Sequence, residues 1–181
     1  MNIPNLITIF RLFLIPFFLA VFHSEIENRI LYSGIIFLVA GISDVLDGYI
    51  ARKYDLKTKI GAMLDPLADK LMSFAVLISF TMVKLIPIWI LIPIIIKELS
   101  MIFGAAFLYL KCENQVIPAK TYGKLGTVFL YISIFSIILK ATKTISYILL
   151  IITLLINLIA FYNYLKISLS AIKNKPHIID K

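Results

Sequence analysis

Long apolar stretches, separated by short polar ones, run along the whole chain. Six of these stretches approach or reach the length of a helix that crosses a lipid bilayer, about 20 predominantly apolar residues. The pattern therefore predicts an all-α integral membrane protein with six transmembrane helices and short loops. The predicted spans are residues 6–22, 30–50, 64–83, 85–110, 122–139 and 145–165.

The composition agrees with this pattern. Hydrophobic residues make up 61% of the 181 positions, whereas soluble domains contain about 45–50% apolar residues. No stretch is left for a separate soluble module, so residues 1–181 are interpreted as a single membrane domain. The chain starts without a basic run or a small-residue cleavage site, and its first apolar stretch is expected to be retained as a helix. Cys112 is the only cysteine, which excludes a disulfide framework and a cysteine-based zinc site.

The net charge of +8 indicates contact with anionic lipid headgroups, because basic residues of membrane proteins concentrate in cytoplasmic loops. No soluble surface is large enough to bind nucleic acid, so no nucleic-acid partner is expected. Most loop lysines and arginines fall on the side that carries both termini. This asymmetry predicts a multi-pass protein of the cell (inner or plasma) membrane with both termini cytoplasmic. The basic residues on that side are Arg52, Lys53, Lys57, Lys59, Lys111, Lys120, Lys124, Lys166, Lys173, Lys175 and Lys181, against Arg29, Lys84, Lys140 and Lys143 on the other.

Half of the ten acidic residues lie in the stretch from Ser43 to Lys70. Asp44 and Asp47 are three apart and would share one face of a helix. Asp65 and Asp69 are four apart, and the proline after Asp65 predicts that Asp65 is the N-cap of the third helix. An aspartate at the centre of a span costs about 2.5–3.5 kcal/mol. Even at half that cost, four aspartates would lose about 5–7 kcal/mol, comparable to the stability of a whole domain. A cation is therefore expected among them.

Divalent cations would satisfy such a cluster. Oxygen ligands with open positions suit Mg²⁺ or Mn²⁺, and four carboxylates can hold two ions in the arrangement used for displacement at phosphorus. Gly48 and Ala51 lie near the face of Asp44 and would leave space for a ligand. Arg52 offers a planar fork for a phosphate. Asp55 falls outside this spacing and is interpreted as a solvated residue.

The spacing D-x2-D-G-x2-A-R-x8-G-x3-D-x3-D resembles the signature of the CDP-alcohol phosphatidyltransferase family, with no departure at any fixed position. The resemblance extends to the six-span architecture and so covers most of the chain. It implies the CDP-alcohol phosphotransferase fold, an active site at the cytoplasmic side and a homodimer. The eight fixed positions are Asp44, Asp47, Gly48, Ala51, Arg52, Gly61, Asp65 and Asp69.

The resemblance also implies the chemistry. An alcohol would attack the phosphorus of CDP-diacylglycerol that carries the diacylglycerol, and CMP would leave. Two Mg²⁺ (or Mn²⁺) ions would be held by the four aspartates of the signature, and Asp69 would be the general base that takes the proton of the alcohol. The implied nucleotide-binding residues are Gly48, Ala51, Arg52, Gly61, Asn5 and Thr8.

Two segments bear on the identity of the alcohol. The opening NIPNLITIFRLFLIP, with polar positions Asn5, Thr8 and Arg11, resembles bacterial phosphatidylglycerophosphate synthases, whose acceptor is glycerol 3-phosphate. The segment VIPAKTYGKLGTVFLY resembles the same subfamily at Gly123 and Lys124, but has Gly126-Thr127 in place of its usual Lys-Thr.

A phosphorylated acceptor needs cations, and Lys97, Lys120 and Lys124 are the expected ones. Lys97 lies beside Glu98 inside the fourth stretch, where a charge is costly. The alternative is a Lys–Glu pair that only serves packing, or a snorkelling lysine. The subfamily commonly has Arg-Glu at this place, so Lys-Glu is a departure.

Two other functions compete with this interpretation. A CMP-forming cardiolipin synthase would use the same metals and take phosphatidylglycerol as the acceptor. A membrane transporter is the more distant alternative, because carboxylates inside membranes also mark ion pathways. Apart from Glu98, however, the acidic residues avoid the interiors of the other spans, so the sequence offers no continuous pathway.

Overall fold

Six α-helices form the regular structure of the residues that the computed structural model describes, 3–54, 59–111 and 121–173. Each of the six predicted stretches becomes a helix, which confirms an all-α fold with six helices. The helices are α1 (Ile3–Phe22), α2 (Arg29–Lys53), α3 (Lys59–Met82), α4 (Ile88–Lys111), α5 (Thr121–Ile138) and α6 (Lys143–Lys173).

The helix bounds differ from the predicted ones mainly at the start of α3. This helix begins at Lys59, so Asp65 lies in its second turn, and the prediction that Asp65 is the N-cap is wrong. Apolar residues such as Leu64 already precede the aspartate, and they favour an earlier start of the helix. A proline at position 66 can be accommodated there if other groups satisfy the carbonyl that the proline leaves without its usual partner.

The chain divides into two compact units, Met1–Pro87 and Ile88–Lys181. In the first unit, α1 packs against both α2 and α3, and α2 contacts α3. In the second unit, α6 packs against both α4 and α5. The three helices of the first unit therefore all contact one another, whereas α6 is the central helix of the second unit.

The buried face of α1 changes character along the helix. Thr8, Arg11, Phe18 and Phe22 recur at helical spacing and are buried. The Phe18 and Phe22 rings stack with centroids 5.7 Å apart, and the Phe22 ring lies 5.3 Å from that of Phe80 in α3. This aromatic end anchors α1, and the polar end, with Thr8 and Arg11, is left to face α2.

The outer surface of α1 is apolar. Phe10, Phe13 and Phe17 are exposed, whereas Thr8 and Arg11 are buried. This arrangement is the reverse of that in a soluble protein and suits a lipid surround.

Within the described residues, three helices are long and apolar enough to cross a membrane, namely Pro4–Phe22, Arg29–Ala51 and Lys143–Lys166, and Leu125–Ile138 is a shorter apolar helix. The molecule is a membrane protein.

The helices α3 and α5 end in the same way. Lys84 and Lys140 follow them in the left-handed region, with φ of 61° and 54°. In both turns the N–H of the next residue donates to the carbonyl five positions earlier, Phe80 in one and Ser136 in the other, at 2.9 Å. This is the Schellman arrangement, which satisfies the last carbonyls of a helix, with lysine at a position that glycine usually occupies.

Candidate active site

Arg11 is the only charged residue of α1, and it is 1% exposed. Its Nη1 donates to Asp44 Oδ1 at 2.5 Å, and its Nη2 donates to Asp47 Oδ2. The side chain of Asp47 is 3% exposed and that of Asp44 is 42% exposed. Two carboxylates, three residues apart on α2, therefore converge on one buried cation.

Thr8 lies one turn before Arg11 and is fully buried. Its Oγ1 is 3.1 Å from the Pro4 carbonyl oxygen and 3.4 Å from Asp47 Oδ2, and its single proton can go to either acceptor. Thr8, Arg11, Asp44 and Asp47 form a set of side chains that is called the α1–α2 polar cluster below. The cluster places two residues of the family-like opening against two of the aspartate signature.

The other two signature aspartates belong to α3. Asp69 is half-buried, and the Lys70 Nζ lies 3.3 Å from its Oδ2. The side chain of Asp65 lies outside what the structure describes. Among the described side chains, no three acidic, histidine or cysteine residues form a metal-binding group.

The chemistry of the α1–α2 polar cluster fits a cation. A buried carboxylate such as that of Asp47 is costly unless a positive charge lies beside it. Here the positive charge is the guanidinium of Arg11, which both carboxylates bind through oxygen atoms. Carboxylate oxygens are also the ligands that Mg²⁺ and Mn²⁺ prefer. Asp44 and Asp47 are thus suitable ligands for a divalent ion.

A second buried polar cluster lies between α4 and α6. Lys97 is 4% exposed, and its Nζ donates to Glu98 Oε1 at 2.6 Å and to Asn157 Oδ1 at 3.0 Å. Asn157 Nδ2 donates to the Thr153 carbonyl at 2.9 Å. The ammonium of Lys97 is therefore held from two helices.

The sequence matches a model of CDP-alcohol phosphatidyltransferases over residues 1–159. The chain belongs to the CDP-alcohol phosphatidyltransferase family. The match contains the whole aspartate signature and the opening segment, so the family resemblance is confirmed.

Three relatives share one name, CDP-diacylglycerol–glycerol-3-phosphate 3-phosphatidyltransferase. The one from Wigglesworthia glossinidia brevipalpis is 34% identical over 173 residues, 92% of each chain. The one from Bacillus subtilis (strain 168) is 36% identical over 70% of each chain. The one from Aquifex aeolicus (strain VF5) is 35% identical over 76% of this chain and 75% of its own.

The expected nucleotide-binding residues of this CDP-alcohol phosphatidyltransferase lie on all three helices of the first unit. Thr8 contacts the signature directly, through Asp47. Asn5, Gly48 and Ala51 are half-buried on α1 and α2, Gly61 is buried on α3, and the side chain of Arg52 lies outside what the structure describes.

Only one of the three expected acceptor-phosphate lysines has a described side chain, that of Lys97. Lys120 lies outside the described residues, as does the side chain of Lys124 in α5, and Asp55 also lies outside them. The acceptor-phosphate site as a set stays a prediction.

Sequence reasoning gave no role to two residues that the structure makes central, Arg11 and Asn157. Each had a signal. Arg11 is a single charge within an apolar span, and such a charge is expected to have a partner of opposite sign. Asn157 is an amide in the middle of the apolar sixth helix, where polar side chains commonly bond to a neighbouring helix.

Proposed function

We propose that this protein transfers the phosphatidyl group of CDP-diacylglycerol to glycerol 3-phosphate, forming phosphatidylglycerophosphate and releasing CMP. One observation carries this proposal: the similarity to a relative that is named for this reaction extends over 92% of both chains. The aspartate signature supports the transfer step, and the similarity over most of both chains supports the acceptor.

Asp44, Asp47, Asp65 and Asp69 would hold the two divalent ions. The support for this ligand set is the convergence of Asp44 and Asp47 on one cation, in which both carboxylates already point to a shared positive charge. Two bound Mg²⁺ or Mn²⁺ ions would neutralise the diphosphate of the substrate and stabilise the departing CMP.

Asp69 would act as the general base. The hydroxyl oxygen of glycerol 3-phosphate forms a bond to the phosphorus that bears the diacylglycerol, and the bond from that phosphorus to the CMP oxygen breaks. The proton of the hydroxyl goes to the Asp69 carboxylate, and CMP leaves with the electron pair. This role requires the Asp69 carboxylate to come within hydrogen-bond reach of the acceptor hydroxyl.

Nucleotide binding is assigned to Asn5, Thr8, Gly48, Ala51, Arg52 and Gly61. Thr8 supports this assignment, because it is buried directly beside Asp47. Lys97, Lys120 and Lys124 are assigned to the acceptor phosphate. Burial of Lys97 supports this assignment, since an ionisable side chain inside a membrane helix commonly has a functional role.

The proposed assembly is a homodimer of six-span chains in the cell membrane. Both termini and the active site would lie on the cytoplasmic side. The orientation is supported by the excess of lysine and arginine in the loops of that side.

The test is a CMP-release assay with purified protein, CDP-diacylglycerol and Mg²⁺. We expect release of CMP with glycerol 3-phosphate and formation of phosphatidylglycerophosphate. Release only with phosphatidylglycerol would contradict the acceptor and indicate a CMP-forming cardiolipin synthase. The matched control is Asp47→Asn, which should abolish release with either acceptor.

A further inference from the structure

Gly126 of α5 lies directly against the amide of Asn157 in α6. A Cβ at Gly126 would lie 3.1 Å from both Nδ2 and Oδ1 of Asn157. Asn157 is 4% exposed, so its amide has little room to move away. A side chain at position 126 would therefore press on this amide and displace it by a few tenths of an ångström. The glycine matters here for close approach and not for its backbone conformation, since no glycine has a positive φ among the described residues.

The hydrogen bonds of Asn157 fix which end of its amide faces Lys97. Only the amide nitrogen can donate to the Thr153 carbonyl, and only the amide oxygen can accept from an ammonium. The nitrogen bonds to Thr153 in the preceding turn of the same helix at 2.9 Å. The oxygen is thereby directed at the Lys97 Nζ, 3.0 Å away.

The Glu98 carboxylate and the Asn157 amide oxygen both accept hydrogen bonds from Lys97, but they restrain its ammonium in different ways. Glu98 is the next residue of the same helix, so the pair can move together on α4. Asn157 comes from α6, and its bond fixes the ammonium relative to the helix that packs against α4. Loss of the Asn157 amide would remove this restraint from α6 on the position of the ammonium.

We propose that Asn157 is a positioning residue for the acceptor phosphate of this enzyme. It holds the ammonium of Lys97 in place, and Gly126 provides the space that its amide requires. The proposal rests on the proposed function, because it takes Lys97 as a ligand of the phosphate of glycerol 3-phosphate.

Two substitutions separate hydrogen bonding from packing. Asn157→Leu keeps the branching at Cγ, with a larger volume, and removes both polar atoms, whereas Asn157→Ala removes the whole amide. In both variants we expect the KM for glycerol 3-phosphate to rise about tenfold, the effect of losing one hydrogen bond to a charged group. The KM for CDP-diacylglycerol should stay within about twofold of the wild-type value, because the lost interaction contributes only to binding of the acceptor. An unchanged KM for glycerol 3-phosphate, or an equal rise in both KM values, would overturn the proposal.

The role of Gly126 is tested by thermal unfolding in detergent. Gly126→Ala should lower Tm in the wild type and in Asn157→Leu, where a side chain still fills the space. In Asn157→Ala the same substitution should cost less than about half as much, because the contact is gone. An equal cost in all three backgrounds would overturn the assignment of Gly126.

Two variants serve as matched controls. Ser136→Ala removes a hydrogen bond between α5 and α6, the 3.1 Å bond to Ser146 Oγ, and should leave both KM values unchanged. Gly104→Ala would place a Cβ 2.8 Å from the Tyr164 hydroxyl. Its cost in Tm should be the same in the wild type and in Asn157→Ala, since the Tyr164 hydroxyl bonds to the Met101 carbonyl and no contact with Asn157 is among those described.

Failure of this proposal is distinguishable from failure of the proposed function. Wild-type protein that releases CMP only with phosphatidylglycerol overturns both the function and the phosphate role of Lys97. Wild-type protein that uses glycerol 3-phosphate, with a normal KM for it in Asn157→Leu, overturns the positioning role alone.

Discussion

The guanidinium of Arg11 neutralises two carboxylates of the neighbouring helix, those of Asp44 and Asp47. Removal of one member of a buried ion pair leaves an uncompensated charge, which costs about 3–5 kcal/mol. Arg11→Met should therefore lower the free energy of unfolding by about that amount, measured by thermal or denaturant unfolding in detergent with EDTA present. Arg11→Met with Asp47→Asn should recover part of the loss, because the buried charge disappears with its partner. Additive losses in the double variant would contradict this account.

Divalent ions would compete with Arg11 for the same carboxylate oxygens. Mg²⁺ should therefore raise the Tm of Arg11→Met more than that of the wild type, because the guanidinium that repels Mg²⁺ at the α1–α2 polar cluster is absent from the variant. The measurement is the shift in Tm between EDTA and saturating Mg²⁺. An equal or smaller shift in Arg11→Met would mean that Arg11 supports metal binding, contrary to this prediction. Asp44→Asn should show little shift in either background.

The role of Asp69 is open to a direct test. Asp69→Asn removes the proposed base, and general bases contribute about 10²–10⁴-fold to rate. We expect the rate of CMP release to fall by about 10²–10⁴-fold. The variant should still bind CDP-diacylglycerol, which a binding assay with labelled lipid measures. Asp55→Asn is the matched control, because it changes an aspartate of the same stretch that the signature excludes. Normal turnover in Asp69→Asn would remove the assignment.

A lysine occupies the left-handed position after α5, where glycine is the usual residue. Lys140 has φ of 54° after α5, a conformation that costs an L-residue about 1–2 kcal/mol. Lys140→Gly removes this cost and adds about 0.5–1 kcal/mol of backbone entropy loss, so it should stabilise the protein by about 0.5 kcal/mol. Lys140→Val should destabilise it, because a β-branched residue fits this region poorly. A Tm that is higher for the valine variant than for the glycine variant would be inconsistent with the turn geometry.

Sequence patterns predict elements better than contacts between elements. The lengths of the apolar stretches predict all six helices, since bilayer thickness sets a single length scale. The predicted start of α3 is wrong, because a proline favours the first turn of a helix but is also tolerated further inside one when other groups satisfy the freed carbonyl. The spacing of Asp44 and Asp47 predicts a shared face, which follows from helical geometry alone. Their bonds to Arg11 join residues 33 and 36 positions apart, and no local pattern specifies such a pairing.

For the whole molecule, the number of membrane crossings determines the side on which each loop lies. Three helices of the described residues meet the length and hydropathy of a span, α1, α2 and α6, whereas the apolar pattern predicts six. If the N-terminus is cytoplasmic, the six-span model and a three-span model both place the α1–α2 loop outside the cell and the end of α2 in the cytoplasm. They differ at the α5–α6 turn, which is outside with six crossings and inside with three.

Cysteine labelling separates the two models, because Cys112→Ser makes the chain free of cysteine. Single cysteines at three exposed positions, Glu27, Lys53 and Thr142, are then treated with a membrane-impermeant maleimide on intact cells. The six-span model predicts labelling at Glu27→Cys and Thr142→Cys, and at Lys53→Cys only after permeabilisation. Protection of Thr142→Cys with labelling of Glu27→Cys would support three crossings and place the C-terminus outside. Labelling of Lys53→Cys alone would mean that the orientation is inverted, contrary to the distribution of lysine and arginine.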